Sequence, residues 1–351
     1  VGPVTGVNLS LSRVTIRDAE SQAGNGAALY LPTGNTASLS NCSFSGNTSQ
    51  NGGAIYSESP LVFTGNTTIN DNTATANGGG LYLNNPTGSS SSLVGLTMSG
   101  NAAVDGGAIW LRNESSSRDF SISSIDLDAN TASGNGAGIY IERGTISLSG
   151  STLRGNSASG SGGGIYLGDN GSAADGAVDL SNVTISGNGA AIGGGIAFDV
   201  ANSARSTAVH TSIVGNTAST AGMGAGIHTA APTANLPGAF NKFFTSNLLA
   251  QNLASGSARN CSQALGHSDE TFSGYNVADD SSCGFTQDSD AEVTDAKVLA
   301  LASKGGNAPV LMVQGDEILF GPDMGDAVAD KFATSGAEIV NLVSPFINDA
   351  D

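Results

Sequence analysis

The sequence predicts an all-β solenoid, a right-handed parallel β-helix of about nine coils with a C-terminal cap. Three observations predict it. One phrase recurs along most of the chain, as in Ser181-Asn182-Val183-Thr184-Ile185-Ser186-Gly187-Asn188, answered by Gly193-Gly194-Gly195-Ile196. Its closing asparagines, Asn47, Asn72, Asn101, Asn130, Asn156, Asn188, Asn216 and Asn252, lie 25, 29, 29, 26, 32, 28 and 36 residues apart. A period near 28 marks stacked repeats before any other fold. Within each repeat the apolar residues alternate in short runs, the two-residue period of a strand with one face turned inward.

The first coil, 1–31, is imperfect. Val7, Leu9 and Leu11 alternate as a strand should, Ala19 stands where the asparagine belongs, and Gly26-Ala27-Ala28-Leu29-Tyr30 closes the coil. Each later coil supplies two or three short strands. Three positions before the asparagine stand Phe44, Ile69, Met98, Leu127, Leu153, Ile185, Ile213 and Leu249; five positions before it stand Cys42, Thr67, Leu96, Ile125, Ser151, Val183, Thr211 and Asn247. Period-two spacing sends both columns inward. Cys42 therefore reads as a small core hydrophobe rather than a reactive thiol.

The asparagine itself is expected to turn the chain, because its side chain tolerates the left-handed region, and to bond the turns above and below it. Eight in register form a structural ladder. The Gly-Gly pairs start the next strand where a side chain would clash or φ is positive. They lack the Gly-Lys-Ser/Thr ending and following helix of a phosphate loop.

After the glycines come inward pairs such as Leu81/Leu83, Ile109/Leu111 and Ile165/Leu167. The residue between each pair faces out, which gives a column of Tyr30, Tyr56, Tyr82, Trp110, Tyr140 and Tyr166 that continues as Ala197 and His228. Two readings stand beside each other. The rings are a stiffening ladder beneath loops, or they are an exposed stripe that binds sugar rings or another protein. Insertions at 84–92, 112–119, 168–177 and 230–241 follow this strand and emerge along one side, the side that solenoids use for binding.

The Ser-Gly-Asn…Gly-Gly-Ala-Ile spacing over roughly residues 10–255 resembles the repeats of chlamydial polymorphic outer-membrane proteins and of many bacterial surface β-helix proteins. That resemblance implies a fold and a surface location, and no catalysis. The chain divides into repeats over 1–255 and a cap over 256–351. In the second part Arg259-Asn260-Cys261-Ser262, Gly274-Tyr275-Asn276, Ser282-Cys283-Gly284-Phe285 and Lys304-Gly305-Gly306-Asn307-Ala308-Pro309 occur in that order. The run looks like the choice-of-anchor Q region, with Gly321-Pro322-Asp323-Met324-Gly325-Asp326-Ala327 nearest to that family's closing stretch. A cap is physically sensible, since the end of a β-helix exposes unpaired backbone. Residues 327–343 read as a short helix or strand.

Twelve basic and 30 acidic side chains leave a net charge of −18, which repels phosphate backbones and argues against nucleic acid as a partner. No apolar run reaches the length of a membrane span. Val1-Gly2-Pro3-Val4 carries no signal-peptide features, the pattern of a processed or trimmed N-terminus. Three cysteines are too few for a disulfide scaffold. A Cys261–Cys283 pair with Cys42 as a buried thiol suits a secreted protein, and three reduced thiols would suit a cytosolic one.

Chemistry finds little support in the columns. A glycosidase needs paired carboxylates and a lyase needs a base, yet Asp71, Asp105, Asp126, Asp128 and Asp179 fall at different offsets and read as solvated turns. His210, His228 and His267 have no metal spacing. The acidic cluster Asp279-Asp280…Asp288-Ser289-Asp290…Glu292 offers oxygens of the kind calcium takes, but without a calcium-loop pattern, and reads as an exposed charged loop. An ice-binding column would run through Thr48, Thr73, Thr131 and Thr217, but Ala102, Ser157 and Gly189 interrupt it. The expectation is a non-enzymatic secreted or cell-surface structural or adhesive protein without a cofactor. Its partners are other copies of itself, a surface protein or a glycan, and coil ends could stack into fibres. The alternative is a carbohydrate-binding or polysaccharide-degrading β-helix.

Overall fold

The computed structural model describes residues 5–85, 90–113, 120–168, 176–198, 205–229, 242–262, 270–272, 275–284, 291–292, 312–313 and 339–340. Across them the chain coils, and strand pairs between successive coils are parallel. A typical coil contributes four strands rather than the expected two or three, as in Thr36–Ser40, Ser43–Ser45, Thr48–Asn51 and Ile55–Ser57. Each stacks on its counterpart to form one of four columns. The column that carries the aromatic rings has eight rungs, from Leu29–Leu31 to Ile227–Thr229.

The register follows the repeat. Phe44, Ile69, Met98, Leu127, Leu153, Ile185, Ile213 and Leu249 pair in succession across adjacent coils, and all are fully buried. They belong to one continuous apolar core with Leu39, Leu81, Ile109, Ile139 and Ile165. This is the arrangement expected of a stack in which each coil covers the apolar face of the next. Cys42 lies in that core with its thiol against the carbonyls of Leu11 and Ser40.

The bends differ from the expectation in one respect. The left-handed residue is the one before the asparagine: Gly46, Asp71, Gly100, Ala129, Gly155, Gly187, Gly215 and Gln251 all have φ between 53° and 66°. The asparagine is thereby freed to turn its side chain inward. A second left-handed bend, at Arg13, Asn41, Gly65, Gly95, Ser124, His210 and Ser246, splits what looked like one strand into two, while the strands Ile139–Arg154 and Gly176–Ser186 run on through the same bend at Gly150 and Asn182. The glycine pair is steric in both members. Gly78 has φ +67°, and a Cβ on Gly79 would lie 2.2 Å from the carbonyl oxygen of Gly107, a contact no side chain survives without a backbone shift.

The coil pattern runs past residue 255. Glu270–Phe272 continues the column of Lys242–Thr245, and Val277–Ala278 continues that of Leu248–Ala250. Ile339–Val340, within the stretch read as helix or strand, is a strand antiparallel to Met312–Val313. Gly274, Lys304 to Pro309, Gly321 to Ala327, Asp288, Ser289, Asp290, His267 and most of the four insertions lie outside the described residues.

Candidate functional site

Two repeated side-chain columns and one closed end are the places where function could reside. The first column is the asparagine ladder, built one residue after each left-handed bend. Asn72 is representative: its amide nitrogen donates to Asn101 Oδ1 at 3.0 Å and to the Phe44 carbonyl at 3.1 Å, while its backbone N–H donates to the same Asn101 oxygen at 3.1 Å. The motif repeats through Asn47, Asn101, Asn130, Asn156, Asn188, Asn216 and Asn252. All eight are buried, and their side chains bond within the stack, so the ladder is structural as predicted. Ala19 keeps only its backbone share, an N–H donated to Asn47 Oδ1 at 3.1 Å.

Two further columns of the same kind run beside it. Thr211 N–H donates to Asn247 Oδ1 and Asn247 in turn to Asn276 Oδ1, all three residues being fully buried. In front of the glycines, Asn51 bonds Asn25, Asn77 N–H bonds Asn51, and Asp105 and Asn135 accept from the following coil. The second set is visible in sequence as the residue preceding each first glycine: Asn25, Asn51, Asn77, Asp105 and Asn135.

The aromatic column is built on the outward position of the strand after the glycines. Tyr30, Tyr56, Tyr82, Trp110, Tyr140 and Tyr166 pair rung on rung. Their ring centroids are 5.4, 4.6, 4.1, 6.3 and 5.0 Å apart in that order. From Tyr56 to Tyr140 the planes lie within 12° of parallel. The rings therefore spend their faces on one another, and the stripe is not uniformly open. Tyr30 is 47% exposed, while Tyr56, Trp110 and Tyr166 are buried. Ala197 and His228 continue the column, both buried.

Electrostatics follow burial. Burial pushes the Tyr56 hydroxyl up to about 12, helped by the charge of Glu58 and by the hydrogen bond Tyr56 donates to it at 3.3 Å. Tyr30 is raised for the same reasons, burial first, and donates to the other Glu58 oxygen. Burial also raises Tyr82. His228 is held down to about 4 by burial, and its Nδ1 has no hydrogen-bond partner among the described residues. Arg112 and Glu142 form an ion pair at 3.2 Å alongside the rings.

The carboxylates read as solvated turns are partly otherwise. Asp126 is buried, and Arg154 bonds both of its oxygens while also meeting Asp128 at 2.9 Å. Burial raises the Asp126 pKa against the pull of Arg154. Asp179 accepts from Thr207, and Asp105 from the Asn135 N–H.

At the far end, the reading of Asp279 and Asp280 as an exposed loop needs correction. Asn252 donates to Asn260 Oδ1 at 2.7 Å and Asn260 to Asp279 Oδ1 at 2.8 Å, so the amide ladder terminates on a carboxylate. Asp280 accepts the backbone N–H groups of Asn260 and Ser282. A chain of amides needs an acceptor at its last donor, and an ionised carboxylate makes the stronger bond. Glu292 is exposed. Cys261 and Cys283 form a disulfide that ties this end to the last aromatic-column rung through Cys261 and Ile227. Among the described residues no group of three or more His, Cys, Asp or Glu could hold a metal, and no helix is long and apolar enough to cross a membrane.

Residues 4–175 match the family model described as a right handed beta helix region. The solenoid is a right-handed β-helix. That hand agrees with the rule that parallel strands of one sheet are joined by right-handed crossovers. No curated protein and no solved structure matches the chain. The asparagine ladder and ring stack of this β-helix thus stand on their own geometry.

Proposed function

We propose that the protein is a non-catalytic structural or adhesive β-helix, secreted or displayed on a cell surface. The observation that carries the reading is how its repeated functional groups are used. Amides recur in eight successive coils and aromatic rings in six, and they bond and stack with their own neighbours along the axis. Carboxylates and histidines do not recur at a common offset. A frame built this way presents length and regularity, which suit a spacer or an adhesive stalk. The Cys261–Cys283 disulfide supports an oxidising compartment. The likeness of the repeats to polymorphic outer-membrane proteins, and of the last part to a choice-of-anchor Q region, supports a bacterial surface. Self-association through coil ends into fibres is the specific form of this proposal.

Light scattering on a size-exclusion peak, followed by negative-stain imaging across salt and calcium concentrations, tests it. Filaments or discrete end-to-end oligomers are expected, with no release of reducing ends or unsaturated products from polysaccharides. Product release would overturn the non-catalytic reading, and monomers under every condition would overturn self-association.

Carbohydrate binding is a second reading, favoured by one observation. Tyr30 is the half-exposed ring at the end of the stack, and beside it Glu58 already gathers hydroxyls from Tyr30, Tyr56 and Thr33. A half-exposed ring next to a carboxylate is the chemistry of a sugar contact. Glycan-array binding lost in Tyr30→Ala would support it. Trp110→Ala is a poor probe, because it removes a buried ring from the middle of the stack.

A further inference from the structure

The ring column is a row of oxidisable side chains in contact. Trp110 is the single tryptophan of the chain and is buried. From it Tyr82, Tyr56 and Tyr30 follow in turn, at centroid distances of 4.1, 4.6 and 5.4 Å. Spacings of this order put the rings in van der Waals contact. Electron transfer slows steeply with the gap between donor and acceptor, so touching rings pass a charge where one long jump is slow. In the other direction the first step, Trp110 to Tyr140, is longer, at 6.3 Å.

The Tyr30 end of the row also holds a proton acceptor. A phenol is readily oxidised only when its proton leaves with the electron, because the radical cation left otherwise is a strong acid. Glu58 accepts from Tyr56 through Oε1 and from Tyr30 through Oε2, each at 3.3 Å. Both protons therefore have an existing bond along which to move. The two phenols differ in access, since Tyr56 is buried and Tyr30 is 47% exposed. A radical that reaches Tyr30 meets the solvent and the reductants dissolved in it.

We propose that the column carries a one-electron oxidation from Trp110 to Tyr30, with Glu58 taking the phenolic proton. A one-electron oxidant, in nature an oxygen-derived radical, removes an electron from the indole and is itself reduced. An electron then moves from Tyr30 through Tyr56 and Tyr82 to the indole, and the Tyr30 proton moves to Glu58 Oε2. The products are a neutral tyrosyl radical, a neutral carboxylic acid and a restored tryptophan. A reductant of the ascorbate or thiol class returns the electron at Tyr30, and the proton comes back from Glu58. The buried rings are left unmodified. The relay does not depend on whether the β-helix assembles or adheres.

The test excites Trp110 in the whole chain with a flash at the red edge of its absorption, where tyrosine does not absorb. A cobalt(III) ammine complex serves as the irreversible electron acceptor, and transient absorbance follows the indole and tyrosyl radicals. The tyrosyl band is expected to rise as the indole band decays. Tyr82→Leu opens a gap in the row and should slow that decay at least tenfold, whereas Tyr140→Leu should leave it nearly unchanged. Glu58→Gln keeps a hydrogen-bond acceptor but takes no proton, and should also slow the decay at least tenfold. A spin trap followed by peptide mapping should mark Tyr30 in preference to Tyr275, which is 44% exposed and lies outside the column. An unchanged decay in Tyr82→Leu or Glu58→Gln, a decay slowed by Tyr140→Leu instead, or equal marking of Tyr30 and Tyr275 overturns the proposal. Should Tyr82→Leu fail to fold, the decay in Glu58→Gln, a change on a half-exposed side chain, and the marking of the unaltered chain decide the matter.

Discussion

Asn130 Oδ1 accepts two hydrogen bonds from Asn101, one from its side-chain amide at 2.9 Å and one from its backbone N–H at 3.0 Å. One oxygen thereby satisfies two buried donors of the coil before it. The Asn130 amide donates back to the Met98 carbonyl of that same coil and forward to Asn156 Oδ1 of the next. Asn130→Ala removes all four bonds and leaves buried donors and acceptors unpaired, each costing about 1–3 kcal/mol before relaxation. A loss on the order of 4 kcal/mol is expected, read as a lowered denaturant midpoint. Asn47→Ala should cost less, because the coil before it has Ala19 and only a backbone N–H to lose. Hydrogen exchange should localise the Asn130→Ala damage to the coils from Met98 to Asn156, since each repeat contacts only its neighbours. Equal losses at the two positions would show that the ladder is not what couples the coils.

Most of the core and the ladder was legible in the sequence because both are periodic. The inward columns follow from alternation, as at Ile185 and Ile213, and the ladder follows from the spacing of its asparagines. The position of the left-handed bend was not legible. Asn and the residue before it are both common in that conformation, and only the need to aim the Asn side chain inward decides between them. Ala129 and Gln251 occupy the bend at φ 53° and 56° although neither favours it, which shows that the stack imposes the turn. Burial of the rings was only half legible. Alternation sends Trp110 outward, but alternation carries no information about what lies beside it, and stacking at 4.1 Å on Tyr82 takes away its open face. The role of Asp279 and Asp280 was hidden because the ladder reaches them through Asn260, eight residues after Asn252 instead of one coil later.

Tyr56 makes the column sensitive to alkali. Its folded pKa, raised to about 12 by burial and then by Glu58, stands above the ordinary value of about 10. The protonated phenol is therefore the form the fold prefers. Its contribution to stability is complete below pH 10 and is lost as pH rises through about 12. Equilibrium melts between pH 9 and 12 should show stability falling over that window, together with a late tyrosinate absorbance step. Tyr56→Phe should remove part of both while leaving the near-ultraviolet signal of Trp110 in place. An unaltered pH dependence in Tyr56→Phe would mean that another tyrosine carries the effect.

His228 makes the opposite end of the same column sensitive to acid. It stands on Ala197 in the position that earlier coils fill with aromatic rings, it is 8% exposed, and its Nδ1 has no partner among the described residues. Burial disfavours the imidazolium, so the folded pKa is held to about 4 against an ordinary value near 6.5. For a base with a depressed pKa, the unfolded chain binds the proton first as pH falls. The stability is fully present above pH 6.5 and is lost between there and about 4, on the order of 3 kcal/mol in all. His228→Tyr restores the ring column and has no imidazole to protonate. It should flatten the stability profile over this window, measured as melting temperature against pH, while carboxylate titration below pH 4 continues in both proteins. If His228→Tyr keeps the same slope between pH 6.5 and 4, burial of this histidine is not the source of the acid response.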